Sequence, residues 1–166
     1  MKVLWFSVTP SLFHSYSNSH NGGGWIASLE RIVRQVQEVE LGIAFNFAAE
    51  GFVYEQDGVK YYPISHESLE TYKQIIDDFK PDLIQIFGSE NDFGRICDTT
   101  EVPVVIHMQG CLPPYHNALL PVGMSKTDFI FQKGLSLRYR YIGLRSESAF
   151  RKHAKRELET IGKCRY

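Results

Sequence analysis

The sequence predicts a doubly wound α/β domain with a mainly parallel sheet and helices on both faces. Two observations carry this expectation. Short apolar runs of strand length alternate with segments whose apolar residues recur at three- and four-residue steps. The runs are nearly continuous, as strands covered on both faces require, whereas a sheet with one wet face would alternate. A length of 166 residues supports one domain with a sizeable core.

The first run, Lys2 to Val8, has Val3, Leu4, Trp5, Phe6 and Val8 as its apolar positions. A polar loop follows from Thr9 to about Gly24. Ile26, Leu29, Val33, Val36 and Val39 then mark an amphipathic helix, in which Glu30 can pair with Arg34. Strand, glycine-bearing loop and helix open a βαβ unit. Leu41–Ala48 is the second strand. Phe52–Gln56 and Val59–Ile64 flank Asp57-Gly58, a hairpin signal because both turn positions need positive φ. Helical spacing returns at Leu69, Tyr72, Ile75, Ile76 and Phe79 and stops at Lys80-Pro81. Asp82–Phe87 and Val102–Met108 are further buried strands, with a short helical segment, Asn91–Asp98, between them. Gly110 to about Gly134, with Pro113, Pro114, Pro121 and Gly123, reads as mostly loop. The last helix is expected from Ser146 to Ile161, with Ala149, Phe150, Ala154, Leu158 and Ile161 inward.

Composition narrows the function. Hydrophobic residues at 43% and charged residues at 22% are the balance of a globular domain. No apolar run approaches the roughly 18–20 residues of a membrane span. The N-terminus, Met1 to Phe6, lacks the long apolar region and cleavage site of a secretory signal. Cys97, Cys111 and Cys164 are widely spaced and odd in number, which points to a reducing, cytoplasmic compartment. A net charge of −1 argues against a dedicated nucleic-acid binder. That charge is unevenly spread: residues 1–132 carry 8 Lys+Arg against 16 Asp+Glu, and residues 133–166 carry 10 against 3. The basic stretch Arg138, Arg140, Arg145, Arg151, Lys152, Lys155 and Arg156 reads as a solvated helix face. Its functional alternative is peripheral contact with an anionic membrane surface or a lipid-phosphate acceptor.

Three constellations could carry chemistry. Gly22, Gly23 and Gly24 precede the first helix, where absent Cβ atoms and free N–H groups favour a phosphate or another anion. Neither the Walker pattern nor a dinucleotide GxGxxG is present, and three glycines can also be plain flexible loop. His107-Met108-Gln109-Gly110 ends a buried strand, where ligands of open α/β sheets collect. The imidazole could hydrogen-bond a sugar hydroxyl or exchange a proton, or be a satisfied strand-end histidine. Glu90, in Phe87-Gly88-Ser89-Glu90-Asn91, could accept hydrogen bonds from hydroxyls or favour the start of the next helix. His14, His20, His107 and His116 lack the spacing of metal ligands, so no metal is expected.

The segments KVLWFSVTP, GGGWIASLERIV, KPDLIQIFGSE, VPVVIHMQG and AFRKHAKRELETIGKCRY occur in the order of a known family. The chain resembles the N-terminal, acceptor-side Rossmann-like lobe of a retaining glycosyltransferase of family 4, in the two-lobe GT-B class. The resemblance implies a nucleotide-sugar co-substrate, a carbohydrate or lipid-linked acceptor, and no other cofactor. It sets Gly22, Gly23 and Gly24 beside the donor diphosphate and the acceptor, and His107 beside the transferred sugar. Glu90 matches an acceptor-side position, and His14, Gln109 and Gly110 are taken as substrate-binding. The family's second, donor-binding lobe has no counterpart within 1–166, so the isolated chain is expected to be inactive. The sheet edge beside Val102–Met108 is then expected to be open to self-association. The rival reading is a non-catalytic, flavodoxin-like α/β binding or regulatory module.

Overall fold

Residues 1–13, 24–47, 53–118, 120, 122–132 and 137–163 are described by a computed structural model. Six strands form one sheet: β1 (Lys2–Ser7), β2 (Glu40–Asn46), β3 (Tyr54–Gln56), β4 (Val59–Ile64), β5 (Leu83–Phe87) and β6 (Val104–His107). Their order is β3-β4-β2-β1-β5-β6, with all neighbours parallel except the β3–β4 hairpin. The helices are α1 (Gly24–Val33), α2 (Leu69–Phe79), a 3-10 helix (Asp92–Asp98), α3 (Leu112–Asn117), α4 (Lys126–Gln132) and α5 (Leu137–Lys163).

Strand alternation explains why both faces are apolar. Leu4 and Phe6 of β1 join Ile84 and Ile86 of β5 in a cluster closed by Tyr72, Ile75, Ile76 and Phe79 of α2 and Phe93 and Ile96 of the 3-10 helix. Val3 and Trp5, one residue out of step, join Ile43, Phe45, Tyr61 and Phe87 under Ile26, Leu29 and Val33 of α1. Gly42 lets α2 approach: a Cβ there would lie 2.9 Å from the Phe79 ring. The hairpin turns at Asp57 (φ 52) and Gly58 (φ 77), both left-handed, as its sequence requires. Ser68 caps α2 by accepting the Thr71 N–H at 3.1 Å, and Lys80 ends it in the left-handed region before Pro81.

Three expectations are corrected. α1 ends at Val33, short of Val36 and Val39. The chain turns there through the Gln35 N–H to Ile32 carbonyl and Val36 N–H to Val33 carbonyl bonds, so that Glu40 can meet Met1 at the start of β2. The segment read as loop after Gly110 holds α3 and α4. Pro113 and Pro114 lie in the first turn of α3, where N–H groups have no intrahelical partner, so they open the helix and do not break it. Ser125 and Asp128 exchange backbone hydrogen bonds, each N–H to the other's side chain, as a capping box at the start of α4. The final helix begins at Leu137, not Ser146, and Ala149, Leu158 and Ile161 are exposed instead of inward. Among the described residues its buried positions are Ala154, Glu157 and Thr160.

Candidate functional site

Without the antiparallel β3, the parallel strands stand in the order third, second, first, fourth, fifth along the chain. The order reverses between β1 and β5, and a crevice at such a reversal opens beyond the strands' carboxyl ends. The residues leaving β1, β5 and β6 lie at the same end of the sheet, and the start of α1 meets the last two of these strands through Trp25.

β1 leaves the sheet through a local turn. The Thr9 N–H donates to Ser7 Oγ at 3.1 Å, and the two hydroxyls lie 3.2 Å apart, all buried. The chain is then tied to α1. Glu30, fully buried, accepts the Leu12 N–H at 3.0 Å, Arg34 Nε at 2.8 Å and the Tyr61 hydroxyl. Burial, and then the Glu30 carboxylate, push the Tyr61 phenol far above its ordinary pKa. Burial opposes the Arg34 charge, but Glu30 and Tyr61 outweigh it and raise its pKa. The Glu30–Arg34 pair read from helical spacing thus ties the chain leaving β1, through Leu12, to α1.

At the mouth of the crevice three rings meet. Trp25, in the first turn of α1 and 41% exposed, lies 5.0 Å from the His107 ring at 33° and 5.3 Å from Phe87 edge-on. The His107 side chain is exposed, and its carbonyl accepts the Gly88 N–H at 2.9 Å, joining the ends of β5 and β6. Gly88 has φ 92, and a Cβ there would lie 2.7 Å from the Glu90 carboxylate, which folds back over this turn. Beyond it, Ser89 donates to Glu157 Oε1 and the Leu112 N–H donates to Oε2 at 2.6 Å. Glu157, fully buried, thereby clamps α5 and the start of α3 onto the end of β5. Arg156 binds Asp92 and the Glu90 carbonyl. Among the described residues, the buried side-chain atoms without a hydrogen-bond partner include Ser11 Oγ and Asn91 Nδ2, on the segments that leave β1 and β5, and Arg156 Nε on α5, with Asn46 Oδ1 and Tyr72 Oη elsewhere.

The sequence-predicted residues are distributed as follows. His107 stands at the crevice against Trp25. Glu90 stands at the end of β5, its carbonyl held by Arg156 and its carboxylate over Gly88. Gln109 and Gly110 follow β6 on exposed chain. Gly24 is the first residue of α1, with open space where its Cβ would be. His14, Gly22 and Gly23 lie outside the described residues. Trp25 and Glu157 were missed, and Arg156, read as part of a solvated basic face, is instead engaged by Asp92 and the Glu90 carbonyl. An aromatic residue directly after three glycines, four before Leu29 and eight before Val33, was the available signal for Trp25. For Glu157 the signal was an acid three residues after Ala154 in a strongly basic segment. Among the described residues no group of three or more His, Cys, Asp or Glu side chains could hold a metal ion. The chain matches no protein-family model, no curated protein and no solved structure.

Proposed function

We propose that this chain is the acceptor-side, Rossmann-like lobe of a retaining, nucleotide-sugar-dependent glycosyltransferase of the two-lobe kind, doubly wound in the manner of dinucleotide-binding domains. The observation that carries the reading is the meeting of Trp25 and His107 across the crevice where the strand order reverses. An aromatic face beside an imidazole suits a sugar ring, whose C–H groups stack on indole while its hydroxyls reach polar atoms. The buried polar atoms left unpaired on the segments leaving β1 and β5 favour a hydroxyl-rich guest. The donor diphosphate would lie toward the start of α1, where helix N–H groups favour negative charge. The chain's part in transfer is to orient the acceptor and to place His107 beside the transferred sugar. Stabilisation of the leaving diphosphate needs a donor-binding lobe in addition. The outer edge of β6 is where the sheet would continue or pair with a second copy.

The flavodoxin-like rival has the strand order second, first, third, fourth, fifth, which differs from the order here. Tryptophan emission tests the reading on the chain itself, because Trp5 is buried and Trp25 is at the crevice. Titration with nucleoside diphosphates, nucleotide sugars and free saccharides is expected to change the emission of the parent and not of Trp25→Phe, and His107→Ala is expected to weaken the effect. A panel without response, or one in which a flavin alone binds, overturns the reading.

A further inference from the structure

We propose that the outward face of α5 is a docking surface for an anionic lipid bilayer, an inference independent of the glycosyltransferase reading. Among the described residues, Ala154, Glu157 and Thr160 mark the buried face of this helix. Nearly opposite them, at four- and three-residue steps, stand Leu137, Tyr141 and Leu144, which are 79%, 63% and 52% exposed. Seven residues further along the same face come Arg151 and, beside it, Lys152, with Arg145 next to Leu144, all exposed. Solvated helix faces are normally polar throughout. Here three large apolar side chains share a face with cations.

The acids of the helix cancel this charge only in part. Glu157 is buried, Glu147 is engaged by Lys126 at 2.8 Å, and Glu159 lies 3.7 Å from Lys155. Lys126 first, and Arg151 after it, hold the Glu147 carboxyl below its usual range, so Arg151 shares its charge with Glu147 while Lys152 and Arg145 remain for the phosphates. The pairing of exposed Leu and Tyr with Arg and Lys is what an interfacial helix uses: the apolar groups enter the headgroup boundary while the cations meet lipid phosphates. Phosphates of a nucleic acid would use the cations and leave the leucines unsatisfied. The acidic remainder of the chain would be repelled by the same bilayer, which orients the molecule with α5 toward it. Among the described residues no helix is long and apolar enough to cross a membrane, so the contact lies on the surface.

Cosedimentation with vesicles tests this. The chain is expected to bind vesicles containing one-third phosphatidylglycerol, to ignore pure phosphatidylcholine, and to dissociate as salt is raised. Arg151→Gln with Lys152→Gln should lower the partition coefficient roughly tenfold or more. Tyr141→Ser with Leu144→Ser should lower it as well while preserving its salt dependence. Arg31→Gln with Lys73→Gln removes equal charge from the body of the domain and should bind as the parent does. Circular dichroism verifies that each variant keeps its helices. Equal binding to neutral vesicles, equal loss in the Arg31/Lys73 control, or no loss in the α5 variants overturns the proposal. So does retention of an RNA duplex, unaffected by the Tyr141/Leu144 change, by a chain that leaves vesicles unbound.

Discussion

Glu157 is a buried carboxylate in the most basic part of the chain, and two donors from distant segments, Ser89 and Leu112, account for its place. Removing an acceptor strands both donors in a low-dielectric site, which is worse than never having made the bonds. Glu157→Ala is expected to destabilise the domain by about 2–4 kcal/mol, and Ser89→Ala by about 1 kcal/mol. Urea unfolding measures both, and an alanine variant at 157 as stable as the parent would show that the clamp does not hold α5. At this scale the sequence was legible only in part. Spacing identified Glu30 and Arg34 as a pair, but not that the pair is buried beneath Leu12 and Tyr61, because those partners come from 18 and 31 residues away.

Elements meet through small residues at two places. Gly94, in the 3-10 helix, faces Thr160 of α5, and a Cβ there would lie 2.3 Å from Thr160 Cγ2. Gly42 meets the fully buried Phe79 ring in the same way at 2.9 Å. Gly94→Ala is expected to lift the last turns of α5, and Gly42→Ala to displace α2, each costing about 1–3 kcal/mol. Amide hydrogen exchange should separate the two, with protection lost at residues 154–163 in the first and at 69–79 in the second. Uniform loss in both would contradict the local account. The sequence located both glycines but not their contacts, since nothing local in a strand or a 3-10 helix reports what packs above it. It misplaced α3 for a related reason: prolines signal a break inside a helix and a beginning at its first turn, and only the fold says which turn is first.

Across the whole molecule, three buried tyrosines make stability fall at alkaline pH. Burial is the largest cause in each case, followed by Glu30 at Tyr61, Asp78 at Tyr62 and Glu67 at Tyr72, and all three pKa values lie above the ordinary one. The native chain therefore keeps phenol protons that the unfolded chain releases above about pH 10. Stability from these groups is full below that pH and falls as pH rises past it. Urea midpoints near neutrality and above about pH 10 should show the fall, and phenolate absorbance should show three tyrosines titrating late. Replacing Tyr62 with Phe should shallow the decline. A midpoint flat through that window would mean the three phenols ionise freely in the native chain.

The sequence by itself determined the strands, the hairpin and the α/β class. Strand burial, helix periodicity and turn stereochemistry are written in neighbouring residues: the run Val3–Phe6, the steps from Leu69 to Phe79, and the positive φ of Asp57 and Gly58. It also placed His107 at a strand's carboxyl end. Only the tertiary structure decided that β5 lies beside β1, and so that Trp25 and His107, 82 positions apart, meet with ring centroids 5.0 Å apart. Only the tertiary structure turned Leu137, Tyr141 and Leu144 outward, where periodicity could report a face but not which way it points. The reason is common to both: contacts between elements depend on how whole surfaces fit, and short-range pattern carries no record of the partner.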